Sequence, residues 1–139
     1  MSVPVQAPVL ARASVYRAMF ARNASSLGDR AASFCVGKGS GARLADPDAA
    51  LLAALGDVAK VRPASSCDAG PSGERVVDRS TGQPALLFGV ETAECTSTKE
   101  CTLYGGYYEA NLSSRRDLYR ASSKNGVWTV VVETLGPIS

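Results

Sequence analysis

The 139-residue chain contains no histidine. That removes the commonest general base and the commonest transition-metal ligand. Charge of either sign is scarcely in excess. Fifteen Lys and Arg against thirteen Asp and Glu leave +2, too little to argue for nucleic acid or an anionic membrane surface. No apolar run approaches the ~20 residues that cross a bilayer, so no membrane span is expected. Cysteine is sparse: Cys35, Cys67, Cys95 and Cys101, with no C-x-x-C pair. A structural zinc site needs thiolates at close paired spacing, so neither a metal nor another cofactor is expected. What is present is ordinary for a globular protein, 45% apolar and 20% charged residues, which supports a single domain over 1–139 with its own core. Residues 1–8 read as flexible.

An even cysteine set in a small chain suggests disulfides and an oxidising compartment. Four cysteines allow three connectivities. Cys95 and Cys101 flank one tight turn, which favours their pairing and leaves Cys35 with Cys67. The competing reading is four buried thiols. Export, periplasmic or secreted, rests on the cysteines alone. Val3 to Leu10 is mildly apolar and Ala11-Arg12-Ala13 loosely resembles a cleavage site, but no basic residue precedes it and Pro4 and Pro8 interrupt it. That is a poor signal peptide, so the chain as it stands is expected to lack its export signal.

Periodicity places the elements. Val9, Ala13, Tyr16 and Phe20 recur at helical spacing, which predicts a helix over 9–22. A second helix is expected after Asp46 as N-cap and Pro47 at the first position, with Leu51, Leu52 and Leu55 as its buried stripe and Gly56 at its end. Ser33 to Val36 reads as a short strand. Gly37-Lys38-Gly39-Ser40-Gly41 reads as a connector, since phosphate-loop spacing is absent. Ala59 to Cys67 reads as extended and Asp68 to Gly73 as a loop. From Pro84 the period becomes two. Turns at Thr96–Glu100, Leu112–Arg116 and Lys124-Asn125-Gly126-Val127 divide 84–135 into four antiparallel strands. Arg115-Arg116 is expected to be solvated in the middle turn. Asn23-Ala24-Ser25 and Asn111-Leu112-Ser113 match the glycosylation sequon, which matters only in a eukaryotic secretory pathway.

Setting Cys95 opposite Cys101 pairs Phe88 with Tyr108 and Thr92 with Tyr104. Setting Asn125-Gly126 as the last turn pairs Tyr119 with Val132 and Ser123 with Trp128. One face then carries Phe88, Tyr104, Tyr108, Tyr119 and Trp128. The other carries Leu87, Leu103, Tyr107, Glu109, Leu118, Arg120, Val131 and Glu133. A bulge at Gly105-Gly106 would shift this register locally.

The expected fold is α+β: two N-terminal helices packed on one face of a curved four-stranded antiparallel meander, the cystatin-like or NTF2-like arrangement. Val77-Asp78-Arg79-Ser80-Thr81-Gly82-Gln83-Pro84-Ala85-Leu86, Gly105-Gly106-Tyr107-Tyr108-Glu109-Ala110-Asn111-Leu112-Ser113 and the ending Gly126-Val127-Trp128…Ile138-Ser139 carry a resemblance. Over about residues 35–139 the chain resembles a group of uncharacterised small exported bacterial proteins. The resemblance implies compartment and fold, and no catalytic residue.

Three functions compete. The first is a non-catalytic binding or interaction domain that meets a protein partner or a second copy through the face bearing Tyr107, Glu109, Arg120 and Glu133. The second is a small-molecule binder with a pocket between sheet and helices lined by Tyr104, Tyr108, Tyr119 and Trp128. The third is an NTF2-like enzyme, which needs an inward acid such as Asp78 or Glu109. No serine–lysine pair stands out as a nucleophile, and oxidised cysteines offer no thiolate. No catalytic residue is therefore assigned.

Overall fold

The structure is a computed structural model. It describes residues 8–22, 27, 30–39, 41, 43–69, 75–110 and 113–133, the side chains of 92, 93 and 113 excepted. The expected flexibility of 1–8 falls almost wholly outside these residues. So do the greater part of the 68–73 loop, the asparagines of both sequons and the tip of the middle turn.

Helix α1 (Val9–Arg22) is followed by β1 (Phe34–Lys38), α2 (Ala49–Ala54), β2 (Val61–Pro63), β3 (Cys67–Asp68) and β4 (Val77–Asp78). The long strands come last: β5 (Leu86–Ser97), β6 (Glu100–Ala110), β7 (Ser113–Lys124) and β8 (Val127–Glu133). They form a six-stranded sheet in the order β2-β1-β5-β6-β7-β8, beside a small β3–β4 ribbon.

This overturns the expected two helices on a four-stranded antiparallel meander. The sheet is mixed, because β1 lies parallel to both β2 and β5. Among the described residues only α1 is a substantial helix; α2 has six residues, under two turns. The physical reason lies in β1. Phe34, Cys35, Val36 and Gly37 are buried in succession, as a strand covered on both faces requires. The chain then leaves the sheet and returns through α2 to β2, the long connection that parallel pairing needs.

Helix α1 lays Ala11, Val15, Tyr16 and Met19 against one face of the sheet, here the helix face. Phe34, Val36, Leu86, Phe88, Leu103, Tyr119 and Ala121 meet it there. Phe20 stacks on Phe34 and sets its edge to Phe88, with ring centroids 5.1 and 4.9 Å apart. The Tyr16 hydroxyl donates to the Gly37 carbonyl, so its burial leaves no orphaned group. The cap of α2 sits two residues later than its sequence signal. Asp48 accepts from the Leu51 amide at 3.0 Å, while Asp46 accepts from the Ser65 amide and hydroxyl, each at 2.7 Å.

The last hairpin turns at Asn125 (φ +54°) and Gly126 (φ +80°), the left-handed pair a type I′ turn demands. Its register pairs Tyr119 with Val132 and Ser123 with Trp128. The β5–β6 hairpin differs from expectation. Cys95 does face Cys101, but one extra residue of β5 lies between Thr92 and Glu94. Beyond that bulge, Phe88 pairs with Tyr107 and Leu87 with Tyr108. A one-residue slip exchanges the faces of a strand, so β6 is inverted relative to the sequence reading. Leu103 and Tyr107 point to the helix face, and Tyr104 and Tyr108 to the reverse.

Both disulfides form, Cys35–Cys67 and Cys95–Cys101. The first ties β1 to β3. It holds residues 64–69 over the reverse face of β1 and β5, where Cys35, Ala64, Cys67, Val76, Ala85, Leu87 and Tyr108 make a second core with Leu44 packed against it. Gly89 lets that layer settle. An added Cβ would overlap the Gly39 carbonyl oxygen and come within 2.8 Å of Leu44 Cδ2.

Candidate functional site

The bulge decides which side chains meet. Tyr119 and Trp128 belong to the helix-face core, whereas Tyr104 and Tyr108 lie on the reverse face. The four aromatics therefore do not line one cavity. The proposed partner face is divided as well. Arg120 and Glu133 share the reverse face and form an ion pair at 2.8 Å. Tyr107 packs on the helix-face core. Glu109 is 3% exposed, and its carbonyl accepts from the Val76 amide at 2.8 Å. Arg115 and Arg116 lie within β7 rather than in a turn.

The carboxylates have structural partners. Asp78, buried at the β3–β4 ribbon, accepts from the Ser80 hydroxyl at 2.6 Å, the Ser80 amide at 2.8 Å and the Thr81 amide at 3.2 Å. Donation from the Ser80 and Ser33 hydroxyls, and then from these amides, lowers its pKa to about 2. The Ser33 hydroxyl also lies 3.5 Å from Cys67 Sγ and 3.7 Å from Cys35 Sγ. A carboxylate held that far down is a poor proton acceptor at neutral pH. An inward acid that sequence reasoning missed is Asp117, 6% exposed and bonded to Arg115 Nε at 2.9 Å. Period two from Tyr119 would have found it. Burial first, and then the Asp117 charge, hold the Tyr119 hydroxyl above its ordinary pKa. Among the described residues no group of three or more His, Cys, Asp or Glu side chains is placed to hold a metal.

Two features of the reverse face remain. On β5–β8, Glu91, Tyr104, Arg116, Leu118, Arg120, Val131 and Glu133 share the side opposite α1. The Arg116 guanidinium lies 3.9 Å above the Tyr104 ring, and its Nη2 donates to Glu91 at 3.1 Å. The cation is thus fixed between an aromatic face and a carboxylate. Further along the same face, Val131 opposite Arg120 is 63% exposed. At the β1–β5 end, a cavity of about 360 Å³ opens among Arg43, Leu44, Ser65, Cys67, Arg79 and Leu87, with Asp68 also lining it. Sequence reasoning did not find this cavity. Its residues come from separate segments brought together by the Cys35–Cys67 bridge.

No helix is long and apolar enough to cross a membrane among the described residues. No protein-family model matches the chain, and no curated protein or solved structure shows significant similarity to it.

Proposed function

We propose that this chain is an exported, non-catalytic interaction domain that binds a protein partner through the reverse face of β6–β8. The single observation that carries the reading is the composition of that face and its lack of cover. Among the described residues nothing packs over Val131 as Ala64 and Cys67 pack over Leu87. Tyr and Arg dominate binding energy at protein interfaces, above all where they are held in place beforehand. Tyr104 and Arg116 are so held. Their flanking ion pairs, Arg116–Glu91 and Arg120–Glu133, give the patch the mixed polarity of a non-obligate interface. Export is supported by two disulfides, and the resemblance of 77–86 and 105–113 to small exported proteins points the same way. The carboxylates argue for binding over catalysis, because the histidine-free chain ties Asp78 and Asp117 into its own hydrogen bonds.

The test is photo-crosslinking of the oxidised protein in envelope and extracellular fractions of its host. V131D and Y104A should abolish a captured partner that L10D retains, since Leu10 is 57% exposed on α1 and off the face. Capture that ignores V131D and Y104A, or no specific capture at all, would refute the reading.

A further inference from the structure

The reverse-face cavity has a chemical character of its own. Leu44, Ala64, Cys67 and Leu87 supply the apolar part of its floor, all but Leu44 almost fully buried, and the larger part of its lining surface is polar. Its volume of about 360 Å³ lies within the range of small-molecule sites. Arg43, Arg79 and Asp68 are the charged residues of the lining, which therefore carries one net positive charge.

The second arginine is held in place. Asp78 folds the turn that starts at Arg79, and the Arg79 amide donates to the Ser66 carbonyl at 2.9 Å. Arg79 Nε donates to the Cys67 carbonyl at 3.2 Å. That contact uses one edge of the guanidinium and leaves the terminal nitrogens for a planar acceptor. Cys67 is itself fixed by its disulfide and by pairing with Asp78. A frame of this kind lowers the ordering cost of binding. The Ser65 hydroxyl on the rim donates to Asp46 at 2.7 Å.

We propose that this cavity binds a small monocarboxylate with an apolar body, its carboxylate on Arg43 and Arg79 and its body on the Leu44–Leu87 floor. A planar carboxylate matches an arginine fork. Free phosphate matches the charge but gains nothing from an apolar floor, and its second charge meets Asp68. The site is separate from the β6–β8 face, so it stands or falls independently of the proposed protein partner.

Isothermal titration of the oxidised full chain with 3-phenylpropionate tests this, with 3-phenylpropionamide and inorganic phosphate as comparison probes. Saturable one-to-one binding is expected for the acid. R79Q and R43Q should each weaken it at least about tenfold, the usual effect of losing a charge-assisted hydrogen bond. R79K, which keeps the charge without the fork, should fall between wild type and R79Q. Both arginines are surface-exposed, and matching thermal melts will show that the variants fold. The proposal fails if the acid does not bind, if the amide binds as tightly, if phosphate competes equally well, or if R79Q and R43Q leave affinity unchanged.

Discussion

Removing the two disulfides one at a time should destabilise the protein unequally, and chain separation sets the difference. Cys35 and Cys67 are 32 residues apart; Cys95 and Cys101 are six apart. A cross-link restricts the unfolded chain by an entropy that grows with the logarithm of the closed loop. At 25 °C that amounts to about 3.5–4 kcal/mol for the long loop and about 2–2.5 kcal/mol for the short one. The gap of about 1.5 kcal/mol is roughly tenfold in the unfolding constant. Packing losses do not reverse the order, because each bridge includes one fully buried sulfur, Cys35 at 0% and Cys101 at 1% exposure. The short bridge joins strands already paired by a ladder, whereas the long bridge anchors the layer over the reverse face. The assay is urea unfolding of C35A/C67A and C95A/C101A, followed by the fluorescence of Trp128, the single tryptophan. The slope is fitted separately for each variant, since freeing the longer loop should also raise m. The reasoning is refuted if C95A/C101A loses as much stability as C35A/C67A, or more.

Two further outcomes follow from the packing and the buried acid. G89A should lose about 1–3 kcal/mol, because the new methyl overlaps the Gly39 carbonyl oxygen; a urea midpoint equal to wild type would show that the covering segment can move away. Asp78 has a lowered pKa of about 2, so its stabilisation is fully present above the ordinary carboxylate pKa of ~4 and disappears as pH falls through about 2. The stability difference between wild type and D78N should therefore be constant near neutrality and shrink between about pH 4 and 2, and a difference that does not change over that window would contradict the assignment.

How much could be read from the sequence depended on how local each signal was. Helix α1 declares itself within its own residues, and the Asn125-Gly126 turn sets the β7–β8 register alone. The pairing of Cys95 with Cys101 followed from their shared turn. Parallel pairing of β1 left no such trace, because its neighbours Val61–Pro63 and Leu86–Val90 lie far away along the chain. The cap of α2 was misplaced because Asp46 and Asp48 both have capping chemistry; only the position of Ser65 engages Asp46 elsewhere. The face of β6 turned on a bulge in Val90-Glu91-Thr92-Ala93-Glu94-Cys95, a stretch without glycine, whereas Gly105-Gly106 drew attention instead. Arg43 and Arg79 could not be associated without the fold, being 36 positions apart in the sequence.

The extra residue of β5 is a half-period phase step. Upstream of it, even-numbered positions such as Leu86 and Phe88 feed the helix-face core; downstream, odd-numbered Cys95 does. Length changes in this hairpin are therefore not equivalent. One residue added between Thr98 and Lys99 enlarges a solvent-exposed loop. One residue removed between Thr92 and Glu94 would force a choice between burying the Cys95–Cys101 bridge and burying Phe88. Anyone grafting a loop onto this scaffold, or aligning a more distant sequence to it, should match parity before length.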